Sequence, residues 1–138
     1  MPLDAALRAL RAANECVPRP SRLPSPAEVA AMEAQLGITF HADYRQLLLK
    51  AGDVTVGTLE PATITAPASH THLPEVVASA RAYGVPESLF PFCADNGDFY
   101  CLTPTGAVRF WSHDGASAEV WPDLATWIVH VWLNGCSD

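Results

Sequence analysis

The pair Asn96-Gly97, set between Phe90-Pro91-Phe92-Cys93 and Phe99-Tyr100-Cys101-Leu102, constrains this chain more than any other feature. An Asn-Gly pair between apolar segments favours a type I′ turn, which needs positive φ at both central residues and so closes a hairpin. With Asn96 and Gly97 at the tip, Asp95 pairs with Asp98, and Cys93 faces Tyr100. A second turn, Thr103-Pro104-Thr105-Gly106, lays residues 107–111 antiparallel to residues 99–102. The stretch from 90 to 115 is therefore expected to form a three-stranded meander, with the other elements placed around it. In its third strand, alternation puts Val108 and Phe110 on one side and Arg109, Trp111 and His113 on the other. One side must face core; the other can face a helix or a partner.

Helical periodicity surrounds this meander. Leu3, Leu7 and Leu10 form a stripe over residues 3–13, with Arg8 and Arg11 turned away. A proline-bearing connector, residues 17–24, breaks that helix. Ser25-Pro26-Ala27-Glu28 is a capping box with proline at the first helical position, and it opens a helix that Gly37 closes. A second helix follows from Ala42 to Ala51, with Tyr44, Leu47, Leu48 and Ala51 on one face and Gly52 after it. Residues 54–59 alternate as a strand, and Ile64 marks a second short one. Pro74 starts a helix whose stripe is Val76, Val77, Ala80 and Tyr83, ended by Gly84-Val85-Pro86. Pro122 opens a last helix, with Asp123 in its first turn and Leu124, Trp127, Ile128 and Val131 as its buried stripe, ended by Gly135. Helices segregated around an antiparallel meander define an α+β fold.

The totals set limits. A chain of 138 residues with 49% hydrophobic composition suits one domain with a sizeable core, and residues 1–138 are read as that domain: residues 1–24 a helix and connector, residues 25–134 the core. A net charge of −7 makes nucleic acid a poor direct partner, because phosphate binding needs clustered Lys and Arg. The same charge can steer a basic partner. Cys16, Cys93, Cys101 and Cys136 form no C-x-x-C pair. The N-terminal segment has charges throughout and no apolar h-region, so the expected location is cytoplasmic, with reduced thiols. No apolar run reaches the ~20 residues of a membrane span.

Chemical motifs fail one by one. His70-x-His72 offers two imidazoles but no sequence-near third ligand, so no metal is expected there. Ser112-His113-Asp114 has the residue types of a triad, yet adjacent residues do not assemble nucleophile, base and orienter. Counted from Asp95, the third and fifth positions of a calcium loop would be Gly97 and Phe99, which offer no side-chain oxygen. No G-x-G-x-x-G or phosphate-binding lysine loop occurs. The expectation is no enzyme and no cofactor.

Three segments in order resemble the SUKH superfamily of Smi/Knr-type proteins. Ser25-Pro26-Ala27-Glu28-Val29 through Leu36-Gly37-Ile38 and Ala42-Asp43-Tyr44-Arg45-Gln46-Leu47-Leu48 look like its capped helix, LG break and DYR helix. Phe90 to Leu102 is similar to its apolar strand, acidic glycine turn and YYCL-like strand. Val108 to Asp114, with Trp121-Pro122-Asp123-Leu124-Ala125-Thr126-Trp127-Ile128, looks like its last strand and closing helix. The chain departs from the pattern at Phe40-His41, where the family often has a proline, and at Gly52-Asp53, where it often has a double glycine.

The resemblance implies the SUKH α+β fold and a non-catalytic, protein-binding role. Many bacterial members are immunity proteins that bind and neutralise a cognate toxin; fungal relatives act in cell-wall regulation and signalling. The partner expected here is a basic toxin domain such as a nuclease, with a scaffold or regulatory module binding a housekeeping protein as the alternative. The candidate partner-binding residues, chosen as polar or aromatic groups near the edges of the meander, are Asp53, Asp95, Asn96, Asp98, Arg109, Trp111, His113 and Asp114.

Overall fold

Asn96 and Gly97 both adopt positive φ, 53° and 87°, and close the expected hairpin in the structure, a computed structural model that describes residues 2–17, 22–114 and 119–134. Strands β1 (Phe90–Asp95) and β2 (Asp98–Leu102) pair antiparallel with Asp95 opposite Asp98 and Cys93 opposite Tyr100. Strand β3 (Val108–Trp111) pairs with β2 in the expected register, Phe99 opposite Trp111 and Leu102 opposite Val108. A fourth strand, β4 (Val120–Trp121), extends the meander to the order β1-β2-β3-β4. The two-residue β4 lies beyond the three strands expected, because so short a segment carries no alternation to read.

The register of β1 slips between Pro91 and Cys93, leaving Phe92 as an extra residue. A bulge accommodates a proline, which has no N–H to donate to the ladder. Its consequence is packing: Phe92 is fully buried and meets Trp127 edge-on, ring centroids 4.9 Å apart.

Helices α1 (Leu3–Ala13), α2 (Pro26–Leu36), α3 (Ala42–Ala51) and α4 (Leu73–Tyr83) form where periodicity placed them. The capping box at α2 is complete: the Glu28 amide donates to Ser25 Oγ at 3.1 Å, and the Ser25 amide donates to Glu28 Oε1 at 2.9 Å. At α3 the cap is His41, whose Nδ1 accepts from the Asp43 amide at 3.1 Å. The closing helix α5 (Leu124–Trp127) starts two residues later than expected. Asp123 is its N-cap, accepting from the Thr126 amide at 2.7 Å, and Pro122 stands before it. From Ile128 to Leu133 the helix widens into π geometry.

Residues 54–72 correct the sequence reading. They form no named strand; one isolated bridge joins Pro61 to Cys93, and another joins Thr63 to His72 within the segment. Their backbone groups find partners elsewhere. Asn14 Oδ1 accepts from the Thr55 amide, a Glu15 carboxylate oxygen accepts from the Gly57 amide, and the Trp132 indole donates to the Val56 carbonyl. Groups satisfied by side chains are lost to a sheet ladder, and Pro61 cannot donate to one.

The sheet is covered on both sides. Tyr100 packs on Trp127 on one side, where α1 also meets α3 and α5; Phe99 packs on Tyr83 of α4 on the other. Leu7 and Leu10 of α1 belong to the same buried cluster as Tyr44, Phe92, Val108 and Trp127. Among the described residues, no helix is long and apolar enough to cross a membrane. Pro18 to Ser21 of the connector, Gly115, the Gly135 helix end and Cys136 lie outside the described residues.

Candidate partner-binding site

The β1–β2 turn, the end of β3 and the C-terminal end of α4 converge on one surface. Asp98, the first residue of β2, accepts two hydrogen bonds at the same oxygen: from the His113 amide at 3.0 Å and from His113 Nδ1 at 2.7 Å. The other ring nitrogen, Nε2, lies 3.4 Å from Asp114 Oδ1. The Asp114 amide in turn donates to Ser112 Oγ at 3.2 Å. An imidazole between two carboxylates is thus pinned over the hairpin tip.

The charges respond accordingly. His113 is raised above its ordinary value, chiefly by its hydrogen bond to Asp98, with the Asp114 charge adding to it against partial desolvation. Burial pushes the Asp98 carboxyl up, but hydrogen bonds from the His113 amide, the imidazole and Ser112 outweigh it and hold the group below the usual range.

Tyr83 completes the surface and was not singled out as a site residue in the sequence, which grouped it with Val76, Val77 and Ala80 on α4. It is 52% exposed. Its ring stands 6.0 Å from His113 and 5.9 Å from Phe99, and a methyl group built on Gly97 would lie 3.5 Å from it. Arg81 fixes the helix end that carries it, donating to the carbonyls of Val85, Pro86 and Leu89. Val76 and Ala80 hold the buried face, and one further turn is cut off by Gly84 at φ 108°. The helix ends before Tyr83 has a core beneath it, an outcome that depends on where β1 lies.

The other expected residues divide. Trp111 is half-buried, packs on Phe99 and touches the Gly84 position. Arg109 is exposed, opposite Cys101. Asn96 and Asp95 line a neighbouring cleft of 380 Å³ together with Glu60 and His70, an ion pair at 3.2 Å. Asp53 follows α3 and pairs with Arg11 of α1, outside the cluster of Asp98, His113 and Asp114.

The groups singled out for chemistry hold other places. The Cys93 thiol is pushed up by burial, with the charges of Asp95 and Glu60 adding to it, and burial takes Cys101 up to about 12. Buried protonated thiols are poor nucleophiles. Both nitrogens of His113 face carboxylates, so neither faces Ser112 as a general base would. His70 pairs with Glu60, whereas His72 precedes α4. Among the described residues, no group of three or more His, Cys, Asp or Glu is placed to hold a metal ion.

A family model described as SMI1-KNR4 cell-wall, SUKH_5, matches residues 4–133. The chain belongs to the SUKH_5 family. The α+β architecture and the SUKH resemblance agree with that membership. A solved structure of a protein from Pseudomonas syringae pv. tomato is similar along nearly its whole length. The two share 41% sequence identity with a TM-score of 0.90, covering 95% of this chain and 98% of the other. Comparison with curated proteins gives no significant match. In this SUKH_5 chain the Asp95–Asp98 turn is therefore a structural junction as well as a hairpin tip: it receives His113 from the segment after β3 and Tyr83 from α4.

Proposed function

We propose that the protein is a non-catalytic binding domain that acts as an immunity protein, capturing and neutralising a cognate bacterial toxin. One observation carries the reading: an exposed aromatic ring, Tyr83 of α4, stands against the hydrogen-bonded acidic turn beside His113, Asp98 and Asp114. Aromatic anchors on a pre-ordered surface are characteristic of binding hot spots, because they bury large area at little entropic cost. The net charge of −7 favours a basic partner, such as a nuclease domain, and speeds its encounter. The expected site of action is the cytoplasm of the producing cell.

Co-expression with any toxin encoded beside this gene tests the proposal. Rescue of growth by wild type, and its weakening by Tyr83→Ala, supports it. Failure against every neighbouring toxin, with a housekeeping protein recovered instead, replaces it with a scaffold role.

A further inference from the structure

His113 meets its two carboxylates unequally. Asp98 holds it through the imidazole Nδ1 and through the backbone amide, at 2.7 and 3.0 Å. Asp114 meets it only at Nε2, at 3.4 Å, and the Asp114 side chain is 84% exposed. A neutral imidazole carries one N–H, and the shorter contact keeps it on Nδ1. Nε2 then presents a lone pair to a carboxylate oxygen, which is repulsive. The doubly protonated ring donates at both nitrogens and satisfies both acids.

We propose that His113 is a proton-operated latch on Asp114, and that Asp114 with the Tyr83 ring receives a cationic side chain of the binding partner. Protonated, His113 holds Asp114 against the turn. Deprotonated, it stays bound to Asp98, so the hairpin junction survives, while Asp114 swings free. The released carboxylate and the exposed face of Tyr83 offer a lysine or arginine an ion pair and a cation–π contact side by side. The groups facing His113 are Asp98 from β2, Ser112 and Asp114 after β3, Tyr83 from α4 and the backbone of Gly97. The site gains one negative charge on deprotonation. This inference rests on the protein-binding reading and adds its chemistry: the partner is cationic at this contact, and it binds more tightly as pH rises through the His113 titration.

The test uses the full chain and a pentalysine peptide as probe. NMR titration of the imidazole should give His113 a pKa above the ordinary 6.5, and Asp114→Asn should lower it. Pentalysine affinity should rise about two- to fivefold between pH 5.5 and 8.5, the range of one exposed ion pair. The chain carries four histidines besides His113, so the quantity read is the difference from Asp114→Asn, which should lack the part of the rise due to the latch. His113→Gln should lack that same part of the rise. A His113 pKa unmoved by Asp114→Asn, or an equal pH response in both proteins, overturns the latch. A working latch beside failed toxin rescue overturns the immunity reading alone. Toxin rescue with a pH response identical in wild type and Asp114→Asn overturns the latch alone.

Discussion

A single oxygen of Asp98 accepts both the backbone amide and the imidazole of His113, and these two bonds tie the end of β3 to the β1–β2 turn. The two stand fifteen positions apart in the chain. Replacing Asp98 by Asn keeps the shape but removes the charge that holds the imidazolium. The His113 pKa is expected to fall towards 6.5, and the thermal midpoint to drop by a few degrees. Heteronuclear NMR and thermal unfolding check both. An unchanged His113 titration would mean that the pair is incidental.

The pair also sets a pH dependence with a definite sign. His113 is raised in the folded protein, so its contribution is complete below 6.5 and is lost as pH rises through the higher folded value. Asp98 is lowered, so its contribution is complete above 3.8 and is lost as pH falls through the lower folded value. The pair therefore stabilises most between those limits. Urea midpoints at about pH 5.5 and 8.5 should fall more in wild type than in His113→Gln. Equal slopes in the two proteins would contradict the argument.

Tyr83→Ala separates binding from folding. An exposed ring can be truncated with a stability change within about 0.5 kcal/mol. Binding to the proposed toxin partner should weaken at least about tenfold, the loss typical of an aromatic hot spot. Calorimetry of both processes on the same variant reads the separation; a large stability loss with intact binding would assign Tyr83 to the fold.

Trp127 is the test of the core. It has no exposed surface, and it packs on Phe92, Tyr100 and Trp132, while its indole N–H finds no partner among the described residues. Trp127→Ala should cost about 3–5 kcal/mol. Trp127→Phe should cost far less, about 1 kcal/mol, because losing an unsatisfied buried donor offsets part of the cavity. Chemical denaturation of the two variants measures the difference.

Gly106 has φ of 91°, and a methyl group built there would come within 2.5 Å of His41 Nε2. Gly106→Ala therefore meets two penalties, about 1–2 kcal/mol for the backbone and the displacement of the α3 cap. His41→Ala should lose the cap but relieve the clash, so the double variant should be less destabilised than the sum of the singles.

Much of this was legible locally. The Asn96-Gly97 turn, the register that follows it and the Ser25–Glu28 capping box depend on neighbouring residues, and each forms as the residues dictate. Residues 54–59 misled because alternation signals a strand only if a partner edge is free; Asn14, Glu15 and Trp132 bind that backbone first. Of the candidate site, His113, Asp98 and Asp114 come together, whereas Asp53 goes to Arg11.

By itself the sequence determined the hairpin, the helices and their caps, and a family resemblance, because turn chemistry and periodicity act over a few residues. Tertiary structure alone decided that Tyr83 stands outside the core, that β1 bulges to bury Phe92, and that both nitrogens of His113 meet carboxylates. Those outcomes follow from how α4 and the end of β3 dock on the hairpin, and no stretch of neighbouring residues encodes a contact made across the sheet.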